Sequence, residues 1–121
     1  MKKLIYIVED DEAIREILEL FFSDEDTEVK TFPNAGSFCK AMTAPTPDLY
    51  LLDINLPDGN GLELAKKITA NQKSVHVPIL LMSAHLRNQD ISGVTGVREF
   101  IQKPFDLDYI KDRVTQYLYT A

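Results

Sequence analysis

The sequence has few cysteines, glycines and histidines. Its single cysteine, Cys39, cannot form an internal disulfide, and this usage is typical of a protein from a reducing compartment. We therefore expect a cytoplasmic protein. Two histidines and one cysteine are too few for an ordinary zinc site. The sequence contains neither internal repeats nor a Gly/Ser-rich linker, so nothing in it divides the chain.

Long apolar runs and an excess of positive charge are missing as well. The first eight residues begin like a signal peptide, but acids at positions 9 to 12 interrupt the apolar run too early. No other stretch is apolar over enough residues to span a membrane. With 13 basic and 19 acidic side chains the formal net charge is -6, which argues against diffuse binding to nucleic acid or anionic lipid. We expect proteins or cations as partners.

The chain is rich in alternating strand and helix patterns. Its 121 residues suit one domain, over residues 1–121, and 45% hydrophobic with 26% charged residues is typical of a globular protein. Short apolar segments predict five strands, at 4–8, 28–32, 49–54, 78–83 and 100–102. Apolar residues at helical spacing predict helices over 11–23, around Phe38 and Met42, after Leu62, and around Ile110 and Val114.

Buried strands that are joined through helices indicate an α/β fold with a parallel sheet covered on both faces. Such sheets have their functional sites at the carboxyl ends of the strands. In this chain those ends carry polar residues, namely the acids Glu9 to Asp11, then Asp53, Ser83 and Lys103. The sequence thus directs attention to one edge of the sheet.

The acids at this edge predict a metal site. If strands one and three are neighbours, Asp10 and Asp53 lie within several ångströms, where like charges repel by about 1 kcal/mol or more at intermediate dielectric. A hard cation relieves this repulsion, and Mg²⁺ suits a site with a few carboxylate oxygens completed by waters and phosphate oxygens. Lys103, on the opposite side, offers a positive charge for an arriving phosphoryl oxygen.

Four separated motifs sit at these strand ends: Val8-Glu9-Asp10-Asp11, the segment LDINLPDGNG at 52–61, Met82-Ser83-Ala84 and Gln102-Lys103-Pro104-Phe105. With these motifs in this order, the whole chain resembles the receiver domain of two-component response regulators, the CheY-like domains. The resemblance implies a flavodoxin-like, doubly wound sheet of five parallel strands in the order 2-1-3-4-5, with helices on both faces.

The resemblance also implies roles for the residues at the edge. Asp53 corresponds to the phosphoacceptor, and Asp10, Asp53 and the main-chain carbonyl of Asn55 to ligands of Mg²⁺, with Glu9 acting through a bound water. Lys103 corresponds to the lysine that pairs with the phosphoryl group. The mechanism this implies is in-line phosphoryl transfer, in which the protein mainly positions the reacting groups.

Other positions match the family's switch and its rate-tuning residues. Ser83 corresponds to the hydroxyl residue that hydrogen-bonds the phosphoryl group, and Phe100 to the aromatic residue that turns inward when this happens. Asn55 and His85 correspond to variable positions that tune water access. Lys103 and Pro104 are expected to be joined by a cis peptide bond.

The implied partners are proteins. The donor would be a phosphohistidine on a histidine kinase or a phosphotransfer protein, and the output a downstream effector protein or an output domain beyond this sequence. By resemblance, the face of helix four, strand five and helix five transmits the signal and forms a homodimer. The domain would catalyse only its own phosphorylation and dephosphorylation, without turnover of an external substrate.

One segment departs from the family pattern. The chain from Ser83 to Lys103 is slightly short, and the expected fourth helix contains Gly93, Gly96 and β-branched residues, which form helices poorly. We predict that helix four is short or mobile over residues 88–95.

Alternative interpretations remain for the same residues. The acids at 9 to 12 can serve simply to cap a helix, Asp53 can be a turn carboxylate, and Phe100 can be a core residue. A magnesium-dependent phosphohydrolase also uses a nucleophilic aspartate, but it normally has a second acid just beyond it, where this chain has Asn55. A pseudo-receiver that acts only as a binding module usually lacks one of the key side chains, and here all are present.

Overall fold

A computed structural model describes residues 2–42, 45–85 and 96–119. Within them one parallel sheet contains five strands: β1 (Lys3–Val8), β2 (Thr27–Phe32), β3 (Leu49–Asp53), β4 (Ile79–Ser83) and β5 (Val97–Gln102). Their order is β2-β1-β3-β4-β5. The predicted fold class and strand order are confirmed.

Four helices are present in the described parts of the chain: α1 (Glu12–Phe22), α2 (Ala35–Ala41), α3 (Gly61–Ala70) and a C-terminal helix (Leu107–Leu118). Each begins after a residue whose side-chain oxygen accepts an N–H of the first turn, which fixes where the helix starts: Asp11, Asn34, Asn60 and Asp106. None of these helices has both the length and the apolar character that a bilayer crossing requires. The predicted fourth helix, at 88–95, lies outside the described residues.

Hydrophobic layers cover both faces of the sheet. Side chains alternate along a strand, so Ile5 and Ile7 of β1 pack in one layer while Tyr6 and Val8 pack in the other. The first layer is shared with α1 and the C-terminal helix, and the second with α2 and α3. Because β1, β3 and β4 are buried on both faces, their sequences are almost continuously apolar.

Strand β5 is longer than predicted. It begins at Val97 rather than at residue 100, and it pairs with β4 through a register shift between Ile79 and Leu80. The sheet ends at β5, so Arg98 is exposed and Glu99 only partly buried. These two charged residues broke the apolar run on which the prediction depended.

Candidate functional site

An acidic cluster lies at the carboxyl edge of the sheet. Parallel pairing of Val8 with Leu52 brings the next residues of both strands, Glu9 and Asp53, to the same edge. Glu9, Asp10 and Asp53 each offer a carboxylate oxygen, and these oxygens all lie within 4.8 Å of one another. Glu9 is completely buried and Asp53 is 4% exposed, whereas Asp10 is exposed. An all-oxygen donor set of this kind fits Mg²⁺.

Lys103 faces this cluster from the end of β5. Its Nζ donates to Glu9 Oε1 at 2.5 Å and to Asp53 Oδ2 at 2.8 Å. Its backbone N–H donates to the carbonyl of Ser83 at 2.9 Å, which ties the ends of β4 and β5. The Lys103–Pro104 peptide bond is cis, as the sequence predicts. The structure thus brings residues 9, 10, 53 and 103 into a single cluster.

The charges in this cluster do not balance, since one ammonium group faces two buried carboxylates. Burial raises the pKa of Glu9 to about 7, although hydrogen bonds from Lys103 and from the Asp11 N–H oppose the rise; the nearby charge of Asp53 adds to it. Burial lowers the pKa of Lys103, but hydrogen bonds to Asp53 and Glu9 outweigh burial and raise it overall. Lys103 therefore stays charged near neutral pH, while Glu9 is close to gaining a proton.

Ser83 is the last residue of β4 and follows Met82, which pairs in register with Asp53. Its side chain is fully buried, and its Oγ accepts the backbone N–H of His85 at 3.0 Å and lies 3.5 Å from Asn55 Nδ2. The N–H of Asn55 donates to Asp53 Oδ1 at 3.1 Å. The side chains of Asn55 and His85 are both exposed beside the site.

Phe100 lies apart from this group. It pairs in register with Leu81 on β4, two residues before Ser83. Its half-buried ring packs against the hydrophobic layer on the α2 and α3 face of the sheet.

A short hairpin follows Asp53, and the sequence pattern does not predict it. Asn55–Leu56 pairs antiparallel with Gly59–Asn60, and the N–H of Gly61 donates to the carbonyl of Ile54 at 2.8 Å. A Cβ on Gly61 would lie 2.3 Å from the carbonyl oxygen of Asp53, so only glycine fits there. The sequence contains a signal, a glycine at the strand-to-helix turn, but the residue type alone does not predict this close approach to Asp53.

Asp58 fastens this hairpin to α2. Its two carboxylate oxygens accept the N–H groups of Ala35 at 2.8 Å and Gly36 at 2.9 Å, and these hydrogen bonds lower the pKa of Asp58. Sequence reasoning missed this role because the partners lie more than twenty residues earlier in the chain.

Arg15 holds the turn between β1 and α1. Its Nη1 donates to the carbonyls of Glu9 at 3.0 Å and Asp10 at 3.4 Å. The helical pattern over residues 11–23 does not predict these two contacts of Arg15. Its reach back to the preceding turn fixes the backbone that carries two of the three clustered acids.

A cavity of about 580 Å³ opens beside the acidic cluster. Glu9, Asp10, Asp11 and Lys103 form its polar end. The rest of the wall is apolar and comes from α1, from the residue after β4, from the segment after Lys103 and from the start of the C-terminal helix: Ile14, Ile17, Leu18, Ala84, Pro104, Phe105 and Leu107. Ile17 is 49% exposed, so this apolar wall continues onto the surface of α1.

Comparison with known proteins gives a consistent result. The family model described as "Response regulator receiver domain" matches residues 5–115. Transcriptional regulatory protein CssR of Bacillus subtilis is 38% identical over 109 residues, which are 87% of this chain and 46% of that protein. The chain therefore spans less than half the length of this curated relative.

Two further proteins are similar to this chain over nearly the whole length of both sequences. Sporulation initiation phosphotransferase F of Bacillus subtilis is 31% identical over 98% of this chain and 95% of its own length. Response regulator TrrA of Thermotoga maritima, solved in complex with Mg²⁺ and BeF, superimposes with a TM-score of 0.82 at 30% identity, covering 95% of this chain and 98% of that one.

Proposed function

The chain belongs to the response regulator receiver domains, and on that premise we propose that Asp53 is its phosphoacceptor in a two-component signalling system. The observation that carries this proposal is the position of Lys103, whose ammonium bridges Asp53 and the buried Glu9 beside a third carboxylate. The nucleophile, a positive charge for the phosphoryl oxygens and a place for a divalent cation are thus adjacent. The whole chain, residues 1–121, is proposed to act as one such domain.

In the proposed reaction a carboxylate oxygen of Asp53 attacks the phosphorus of a protein phosphohistidine. The new P–O bond forms an acyl phosphate while the P–N bond breaks, and its electron pair stays on the imidazole nitrogen. Lys103 donates to a phosphoryl oxygen, as it now does to Asp53 Oδ2. The Asn55 N–H that donates to Asp53 Oδ1 orients the carboxylate for the attack.

The metal proposed for this site is Mg²⁺. Its ligands would be the carboxylates of Asp10 and Asp53 and the main-chain carbonyl of Asn55, with Glu9 acting through a bound water. The fit rests on three carboxylate oxygens within 4.8 Å of one another and on the imbalance of charge around Lys103. When bound, Mg²⁺ supplies positive charge that offsets both the acids and the phosphoryl oxygens.

The proposed switch couples Ser83 to Phe100. The Ser83 hydroxyl, which now accepts the His85 N–H, turns to donate to the phosphoryl group, and Phe100 turns inward. The face of the predicted helix four, β5 and the C-terminal helix then changes, and a homodimer through this face remains a prediction. On this face Arg113 pairs with Glu99 and so links the C-terminal helix to β5. Asn55 and His85 would tune how fast water removes the phosphoryl group.

The proposed partners follow from the same site. The donor is a histidine kinase or a phosphotransfer protein, and the cavity beside Lys103, with its apolar wall on α1, gives that donor a surface next to Asp53. The output is a downstream effector protein or an output domain of a longer chain. The domain is proposed to catalyse its own phosphorylation and dephosphorylation, without turnover of an external substrate.

Incubation with acetyl phosphate and Mg²⁺, followed by intact mass spectrometry, tests this proposal. The parent should gain one phosphoryl group, which is lost on treatment with hydroxylamine, while Asp53→Asn should gain none. A parent that gains no adduct would favour a phosphate-independent binding module. Continuous hydrolysis of phosphomonoesters would favour a phosphohydrolase.

A further inference from the structure

The side chain of Gln102 joins the two strand ends that carry Ser83 and Lys103. Gln102 is the last residue of β5 and pairs in register with Ser83, the last residue of β4. Its Nε2 donates to the carbonyl of Ala84 at 2.8 Å and to the carbonyl of Lys103 at 2.9 Å. One amide group therefore bridges the residue after Ser83 and Lys103 itself.

The orientation of this amide is determined by its partners. Both neighbours are carbonyl oxygens, which only accept hydrogen bonds, so the NH₂ group must face them rather than the amide oxygen. Both hydrogens of Nε2 are then used. Glutamine is a neutral side chain that carries two N–H hydrogens on one nitrogen. Leucine and glutamate are similar in size but have no such NH₂ group.

The bridge acts on the groups that would meet the phosphoryl oxygens. Ala84 connects Ser83 to His85, whose N–H holds Ser83 Oγ at 3.0 Å, so a fixed Ala84 carbonyl fixes the turn around the hydroxyl. The bond to the Lys103 carbonyl fixes the backbone from which the ammonium extends. The ladder bond from the Lys103 N–H to the Ser83 carbonyl, at 2.9 Å, lies directly beside this bridge.

We propose that Gln102 is a positioning residue that sets the spacing between the Ser83 hydroxyl and the Lys103 ammonium, and thereby the affinity of the site for a phosphoryl group. This inference rests on the proposed function. The clustered acids lie at the ends of β1 and β3, whereas the hydrogen bonds of the Gln102 amide go to the carbonyls of Ala84 and Lys103. Binding of Mg²⁺ alone should therefore be nearly independent of this side chain.

The test compares Gln102→Leu and Gln102→Glu with the parent. Fluoroberyllate, which stands in for a phosphoryl group, is titrated at saturating Mg²⁺ by calorimetry, and Mg²⁺ is titrated alone in a separate experiment. We expect about three- to tenfold weaker fluoroberyllate binding in Gln102→Leu, as for the loss of one or two hydrogen bonds, and at least as much in Gln102→Glu. The Mg²⁺ affinity should change by less than about twofold.

Matched controls separate this role from a general loss of structure. Gln72→Leu changes an exposed glutamine away from the site and should bind both probes like the parent. Unchanged fluoroberyllate affinity in both Gln102 variants would overturn the positioning role while leaving the proposed function intact. An equal loss of Mg²⁺ and fluoroberyllate affinity would also overturn it, since that result indicates a structural defect. A parent that binds no fluoroberyllate would overturn the proposed function and the role of Gln102 together.

Discussion

The middle of the sheet and its carboxyl edge are built from the same strands in opposite ways. Val8 and Glu9 are neighbours on one chain, and both are completely buried. Val8 packs among hydrocarbon side chains, whereas Glu9 faces an ammonium group and a second carboxylate. The middle stabilises the fold by burying apolar area, while the edge holds charges whose burial is unfavourable without a cation. Stability and chemistry are thus assigned to adjacent residues at the end of β1.

The largest expected effect comes from removing a charge at the carboxyl edge of the sheet. Lys103→Met removes the positive charge that faces Asp53 and Glu9, and we expect phosphorylation by acetyl phosphate to slow about 100-fold or more. Quenched time courses read by intact mass measure the rate. Lys66→Met, at an exposed lysine on α3, is the matched control and should react like the parent. A rate for Lys103→Met close to that of the parent would contradict the assignment of Lys103.

The second prediction concerns a substitution in the hydrophobic middle of the sheet. Leu81 is fully buried on β4, and Leu81→Ala should lower the free energy of unfolding by about 3 kcal/mol, from lost apolar contacts and a residual cavity. Urea denaturation measures this loss. The phosphorylation rate of the folded fraction should stay within about twofold of that of the parent, because no charged group has moved. A large change in that rate would show that the two regions are not separable.

The pH dependence of stability sharpens the comparison, because it arises at the edge. The pKa of Glu9 is about 7 in the folded protein and 4.5 for an ordinary glutamate, so the folded state holds the proton more tightly. This contribution is fully present below pH 4.5 and is lost as the pH rises through about 7. Without divalent cations, the free energy of unfolding should fall by about 2 kcal/mol between pH 5 and pH 8.5.

Urea midpoints at both pH values measure this change. Glu9→Gln removes the titrating group and should flatten the profile over the same range. A parent whose stability rises with pH in this range would contradict the assignment, as would an equally steep profile in Glu9→Gln.

A smaller effect is expected from neutralising Asp53, the proposed phosphoacceptor. With Asp53→Asn, one ammonium group faces one buried carboxylate instead of two. The melting temperature without metal should therefore rise by a few degrees, which corresponds to a gain of about 1 kcal/mol in the free energy of unfolding. Mg²⁺ should raise the melting temperature of the parent and have less effect on this variant. Differential scanning calorimetry with and without Mg²⁺ measures both. Equal melting curves for the two proteins would argue against charge repulsion at the edge.

The smallest effect concerns the loop that borders the edge. Asp58→Asn weakens the hydrogen bonds to Ala35 and Gly36, and it should lower the melting temperature slightly because water competes at this exposed carboxylate. The pKa of Asp58 is lowered from 3.8 by folding, so its contribution is present above that pH and is lost as the pH falls through the lower, folded value. The difference between parent and variant should therefore disappear in strong acid. If the melting temperatures of parent and variant differed equally at all pH values, the difference would not arise from the charge of Asp58.

The sequence was most informative where residues are buried on both faces. The apolar runs of β1, β3 and β4 lead directly to a parallel sheet, because a strand between two helical layers has no polar face. It was least informative for β5, where partial exposure allows Arg98 and Glu99 inside a strand. The predicted behaviour of residues 88–95 remains a prediction, since they lie outside the described part of the chain.

For the site, motifs at strand ends located Glu9, Asp10, Asp53 and Lys103, because parallel strands deliver their carboxyl ends to one edge. The supporting contacts could not be predicted in the same way. Asp58 holds the start of α2, and Gln102 reaches Ala84 eighteen positions away, so neither contact follows from local pattern. The end of a strand fixes the backbone position of a residue. The hydrogen-bond partners of its side chain depend on the packing of the whole domain.

The close approach of Gly61 to the backbone of Asp53 has a consequence for attempts to redesign this loop. Any side chain at position 61 would press on the carbonyl of Asp53 and shift the strand end that presents the carboxylate. A library that randomises residues 56 to 61 should therefore return glycine at the last position under selection for phosphorylation, while the exposed position of Pro57 accepts many residues. Asp58 and Asn60 in the same loop stay constrained by the hydrogen bonds that they accept at the starts of α2 and α3.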